Sequence, residues 1–390
     1  MRILPQSRLW RVIGSVALLV IIAGIAGLGW LVSASRKAAQ DGRPPWRGAF
    51  PTLSVKAFAD VRWRNLGWLN LRSQGPLLRT LTYNRRTIWP AASRMPADVS
   101  PDAILDAAMD PGLGVRELHR RGITGEGVNV AIIDQPLGGR HPEYAGKIAA
   151  YYDAGANTTR SMHGPAVVSL LVGARCGTAP GARLYYAAAP SWIGDVAYYY
   201  AQALDWIVEQ NTRLPAHQKI RVVSVSTAPS GQGSPFTKNT ERWDAACRRA
   251  EAASLLVLDC TPHHGFIDPC YYDAFDPDDV TKVKPGFPAF AWKWKSAGLL
   301  VPCSPRTAAE EYVAGLYEYQ YCGQGGLSWS IPYCAGVLAL GWQVRPDLTG
   351  PQMRELLFRS AYTTPAGDKI INPKAFIELV KQAPPGPAAL

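Results

Sequence analysis

From residue 114 onward the chain alternates short apolar runs with longer helix-like segments, and that alternation leaves few folds open. Residues 128–133 (VNVAII), bounded by Gly127 and Asp134, have the pattern of a strand buried on both faces. Similar runs recur at 184–189, 220–225, 254–258 and 299–301. Between and after them lie helical candidates at 164–172, 196–210, 243–252, 332–342 and 350–360. Strands alternating with helices predict an α/β fold with a mostly parallel central sheet and helices on both faces. No internal repeat competes with that reading.

Ahead of this pattern the chain has a different character. Residues 12–32 are 21 consecutive residues without a charge, preceded by Arg2, Arg8 and Arg11 and followed by Arg36 and Lys37. As a helix the run spans about 30 Å, the thickness of a hydrocarbon core. Trp10 and Trp30 lie near its two ends, as interfacial anchors would. Two readings compete: a single-pass anchor within residues 1–37, or a signal peptide cleaved near Val32-Ser33-Ala34. Either way the expected location is the cell membrane with the large C-terminal part outside, or secretion if the segment is cut. Basic residues flank the run almost equally, so orientation rests on the ease with which long domains translocate.

Net charge is +11, but its placement matters more. Residues 1–40 carry five basic and no acidic side chains, residues 41–98 ten and three, and the remainder 26 and 27. A nucleic-acid-binding domain concentrates its excess on the folded part, so no nucleic-acid partner is expected. Residues 38–110, rich in Pro, Arg and Trp, read as an irregular extension that wraps something else or as a linker. Lipid is the expected partner of the N-terminal helix, with the basic extension near anionic headgroups. The tail 383–390 (APPGPAAL) is too rich in Pro to fold. Seven cysteines allow up to three disulfides with one left over, or buried free thiols.

In such a sheet, chemistry gathers where strands end and helices begin. Asp134 ends the most apolar run, His163 precedes the helical segment opened by Pro165, and Ser328 precedes the one containing Pro332. An acid, an imidazole and a hydroxyl are the components of nucleophilic acyl transfer: the hydroxyl needs a base, and the base needs a carboxylate to fix its tautomer. Taken singly, each is more often a cap or a surface residue.

Their joint context resembles the subtilisin-like serine proteases. Residues 122–144 (GITGEGVNVAIIDQPLGGRHPEY) are similar to that family's Asp block, 163–173 (HGPAVVSLLVG) to its His block, and 326–337 (GLSWSIPYCAGV) to its Ser block, in the family's order. The resemblance covers about residues 114–361 and implies a subtilisin-like catalytic domain over 111–382. Ser328 is then the nucleophile, His163 the base and acid, and Asp134 the orienting carboxylate. It also implies that Ser226, Thr227 and Ala228 border the substrate pocket on a strand that pairs with an extended peptide.

The departures are specific. Gln135 and Pro136 replace the residues usual after the Asp, and Ala166 replaces a second His. The family's oxyanion Asn is missing; ungapped counting puts His263 there, with the Thr261 hydroxyl as another donor. Losing such a donor costs about 10²–10³ in rate. His263 and His264 with Cys260 and Cys270 lack the ligand spacing of a zinc site, so no metal is expected. Asp273, Asp276, Asp278 and Asp279 leave calcium open but lack the Gly and closing Glu of a hand-type loop. No cofactor is required. The expected function is a membrane-anchored, exported serine endopeptidase acting on peptide or protein substrates through an acyl-enzyme. Its rival is a pseudoprotease of the same fold that binds peptides as a scaffold with little turnover, and the same triad also serves ester hydrolysis.

Overall fold

Five parallel strands form the centre of the molecule, and the alternation of side chains along them decides what covers each face. The computed structural model describes residues 51–156, 161–261, 264–289, 298–311 and 315–386. The uncharged run 12–32 lies outside the described residues. In chain order the helices are α1 (Gly75–Leu78), α2 (Pro101–Ala107), α3 (Val115–Arg120), α4 (His163–Val172), α5 (Val196–Arg213), α6 (Thr240–Ala252), α7 (Leu327–Val344), α8 (Gly350–Arg359) and α9 (Pro373–Gln382). The strands are β1 (Thr82–Asn84), β2 (Asn129–Asp134), β3 (Ile148–Asp153), β4 (Arg183–Ala188), β5 (Ile220–Val225), β6 (Leu256–Leu258), β7 (Ile267–Tyr271), β8 (Lys284–Pro285), β9 (Leu299–Ser304), β10 (Arg306–Glu310), β11 (Glu318–Cys322), β12 (Tyr362–Thr363) and β13 (Lys369–Ile370).

The central sheet has the order β3-β4-β2-β5-β6, all parallel. Because side chains alternate along a strand, Val130 and Ile132 of β2 join one core with Val167, Val168 and Leu171 of α4 and Ile331 of α7. Ala131 and Ile133 point the other way, into a core shared with Val196 of α5 and Trp243 of α6. Every residue of β2 is buried, as its continuous apolar character requires. In register, Asp134 lies opposite Ala188 of β4, at the carboxyl end of the strand.

The sequence pattern suggests one sheet, but the run at 299–301 belongs to a second. There β9 pairs in parallel with β7 and β13, within the order β12-β13-β9-β7-β8. A third, antiparallel sheet has the order β1-β11-β10. Apolar runs announce burial but do not say which neighbour buries them.

The extension is integral from residue 51. Its β1 pairs with β11, Tyr83 opposite Tyr321, and its Val61, Leu71, Leu78, Leu81 and Ile104 form a core with Tyr321. Polar ties reinforce this seam: Asn84 Nδ2 donates to Glu310 Oε2 at 2.7 Å, and Arg62 pairs with the same carboxylate at 3.2 Å. The extension thus contributes a strand to the sheet containing β10 and β11. The start of the Pro-rich tail is also held: Arg345 donates to the carbonyls of Ala383 and Pro384, and Gly386 N–H to Asp347. The seven cysteines are free thiols, all buried but the half-buried Cys260.

Since Leu81 is fully buried in this seam, Leu81→Ala is expected to cost about 2–5 kcal/mol. Urea unfolding followed by fluorescence and circular dichroism should show one transition shifted as a whole. A separate early transition would mean that the extension folds independently.

Candidate active site

Helix α4 begins where the chain passes β2 most closely. Gly164 allows this approach: a Cβ there would lie 2.2 Å from the Gln135 carbonyl oxygen and 2.7 Å from the Tyr186 hydroxyl. Ser161 caps the entry, accepting from His163 N–H at 3.1 Å, and its own N–H donates to the Pro136 carbonyl at 3.1 Å. The two elements are thereby tied at the Asp134–Pro136 turn. The result is a 2.7 Å hydrogen bond between His163 Nδ1 and Asp134 Oδ1, an oxygen that also accepts from Gln135 N–H at 2.7 Å. With Nδ1 donating to a carboxylate, Nε2 keeps its lone pair, which is the tautomer a general base needs.

The surroundings set the charge of that imidazole. Burial opposes the positive form, but the Asp134 charge and hydrogen bond outweigh it, and the His163 pKa stands above its ordinary 6.5. Asp134 is almost wholly buried, while about a quarter of the His163 side chain meets solvent. The ring stacks loosely on Trp329, centroids 6.3 Å apart.

Trp329 follows Ser328, in the first turn of α7. Pro332 lies within this helix, one turn later than the sequence pattern places it. Lacking an N–H, Pro332 leaves the Ser328 carbonyl without its helical donor. Ser226, just past the end of β5, supplies one: its hydroxyl donates to the Ser328 oxygen at 2.9 Å. In return the Ser328 hydroxyl donates to the Ser226 carbonyl at 3.1 Å. Among the described residues no hydrogen bond joins Ser328 to His163. The hydroxyl rests on the Ser226 carbonyl. The carbonyls of Thr227 and Ala228 are also engaged, by Cys260 N–H at 2.8 Å and the Ser234 hydroxyl at 2.6 Å.

The chain resembles the subtilisin-like serine proteases, and its fold is theirs. It is 23% identical over 284 residues to the subtilisin-like protease PopC of Myxococcus xanthus, covering 65% of this chain and 59% of that protein. It is 24% identical over 307 residues to the serine protease AprX of Bacillus subtilis, covering 65% and 66%. The match thus spans about two thirds or less of these relatives. Among solved structures, the prenylagaramide maturation protease PagA superposes with a TM-score of 0.51 at 18% identity, over 70% of this chain and 99% of that one. No family model matches the sequence.

His141 of the His-Pro-acid sequence is buried, with Nε2 against the Glu318 carbonyl at 2.9 Å and Nδ1 accepting from Glu143 N–H at 3.1 Å; burial lowers its pKa. Glu143 accepts from Arg175 N–H, Cys176 N–H and the Tyr319 hydroxyl, joining the end of α4 to β11. The Thr261 hydroxyl, named above as an oxyanion donor, gives its proton to Asp259 Oδ1. His263 lies outside the described residues. Of the four acidic residues weighed for calcium, Asp276 and Asp279 pair with Lys282, and Asp278 accepts from Gly114 N–H. Sequence reasoning missed Ser161, Gly164 and the second role of Ser226. The signal for Ser226 was Pro332, since a helical Pro obliges something else to satisfy the carbonyl four residues back.

Proton titration of His163 followed by NMR should give a pKa above 6.5. In Asp134→Asn it should fall below 6.5, because burial then acts alone. The pair's stabilisation is full below the ordinary histidine value and is lost as pH rises through the raised one. A pKa unmoved by the substitution would disprove the coupling.

Proposed function

We propose that the chain is an exported, membrane-anchored serine endopeptidase with an Asp134-His163-Ser328 triad. The observation that carries this reading is the His163 Nδ1–Asp134 Oδ1 hydrogen bond, which leaves Nε2 as the basic nitrogen of a ring that stacks loosely on Trp329, the residue after Ser328. Similarity to proteins named serine proteases supports the reaction class. The uncharged run at 12–32 supports the anchor and the extracytoplasmic placement of the rest.

In the proposed cycle, an extended peptide lies along Ser226–Ala228 with its scissile carbonyl over Ser328. The Ser328 proton passes to His163 Nε2 as Oγ bonds to the carbonyl carbon. Asp134 stabilises the imidazolium that forms. The first-turn N–H of Ser328 has no helical acceptor and points with the positive end of α7, so it receives the developing oxyanion. Collapse breaks the C–N bond, and His163 returns its proton to the leaving amine. Water then repeats the sequence on the acyl-enzyme, releasing the acid and restoring Ser328.

A second reading has its own support. Because the Ser328 hydroxyl is held by Ser226 and the Thr261 hydroxyl by Asp259, the same site suits a peptide-binding scaffold with little turnover.

A fluorophosphonate probe is expected to label the full chain and to leave Ser328→Ala unlabelled. Peptide turnover should drop on the order of 10⁴-fold in His163→Ala or Asp134→Asn. Turnover should also fall as pH drops through the raised His163 pKa, since the base must be neutral. Labelling that survives Ser328→Ala would refute the nucleophile, and peptide binding without turnover would favour the scaffold.

A further inference from the structure

A second histidine–aspartate pair lies behind the nucleophile. Asp259 follows β6 and is wholly buried; its Oδ2 accepts from His264 Nδ1 at 3.1 Å and from Trp243 Nε1 at 3.2 Å. Its Oδ1 accepts from Thr261 N–H at 2.9 Å and from the Thr261 hydroxyl. The turn closes tightly: Gly265 N–H donates to the Thr261 carbonyl at 2.7 Å, and a Cβ on Gly265 would lie 2.2 Å from the Asp259 carbonyl. Between these residues, Cys260 N–H donates to the Thr227 carbonyl at 2.8 Å. Thr227 adjoins Ser226, which exchanges two hydrogen bonds with Ser328. A continuous set of short contacts therefore runs from His264 through Asp259 and Cys260 to the nucleophile's partner.

We infer that His264 is a positioning residue, whose hydrogen bond to Asp259 fixes the Asp259–Thr261 turn against Ser226–Thr227 and so sets the orientation of Ser328. This deepens the protease reading and rests on it. The histidine also borders a cavity of about 260 Å³ lined by Ser230, Asp244, Cys247, Arg248 and Glu251, separate from the catalytic imidazole. Burial opposes its charge, but the Asp259 hydrogen bond and charge, with Glu251 and Asp244 beyond, prevail and raise its pKa, with Arg248 the opposing cation at the cavity wall. The charged pair is thus complete below the ordinary histidine value and weakens as pH rises through the raised one. The two pairs are used differently: His163 must lose its proton to work as a base, whereas protonation of His264 strengthens a hydrogen bond to Asp259 that the neutral Nδ1–H also makes.

The test compares the full chain with His264→Leu and His264→Gln, using a small ester substrate, the fluorophosphonate probe and amide exchange at Cys260. His264→Leu should lower kcat by about 10–100-fold, the scale of a 1 Å misplacement, with KM within about twofold because ground-state binding is untouched. His264→Gln keeps a neutral donor for Asp259, so it should recover most of the rate and lack the modest alkaline decline that titration of His264 adds. Exchange at Cys260 N–H should quicken in the Leu variant only. Unchanged kcat in His264→Leu, or equal losses of rate and thermal stability in both variants with an unaltered pH profile, would overturn the inference while the unmodified chain still labels. Failure of the unmodified chain to label would instead overturn the protease reading, and Cys260 exchange would then decide alone whether His264 holds the turn.

Discussion

Burial of α7 is the constraint from which the rest of the site follows. Every side chain from Trp329 to Trp342 is buried, so this helix has no face to give to water. It is stable only when surrounded, and α4, β5, β9 and β7 surround it on different sides. Small residues let the neighbours close in: a Cβ on Gly336 would lie 2.6 Å from Thr178 Cβ, and one on Gly341 2.7 Å from the Phe376 ring. Holding the helix in this way leaves its first turn at the carboxyl ends of the central strands. Ser328 is there because the hydrophobic run behind it has nowhere else to go.

The polar chemistry sits on that apolar frame as two histidine–carboxylate pairs. One joins the end of β2 to the start of α4, the other closes the turn after β6. In each, burial disfavours the imidazolium and the adjacent carboxylate restores it. A low-dielectric setting enlarges both effects, so small geometric changes at either pair alter proton affinity. Between the pairs lie Ser226 and Thr227, whose carbonyls take the Ser328 hydroxyl and Cys260 N–H. The end of β5 is therefore a bridge between the neighbourhood of His163 and the second pair, besides being the candidate substrate edge.

The sequence by itself determined four of the five central strands, and missed the edge strand β3, whose residues are only partly buried. The expected run at 220–225 is β5 residue for residue, 128–133 and 184–189 are β2 and β4 within one position, and the helices at 164–172 and 350–360 fall within a residue of α4 and α8. Continuous apolar runs between turn residues are local signals, and strands buried on both faces carry them in full. The positions of Asp134, His163 and Ser328 at element boundaries were legible for the same reason. Tertiary structure alone decided the rest. Strands β1, β10 and β11 mix Arg, Thr, Glu and Gln with apolar residues and gain order only from pairing with one another, which is how an apparent linker became part of the core. Whether the Ser328 hydroxyl faces an imidazole or a backbone carbonyl depends on atoms brought together from stretches more than a hundred residues apart, and no local pattern encodes a distance of that kind.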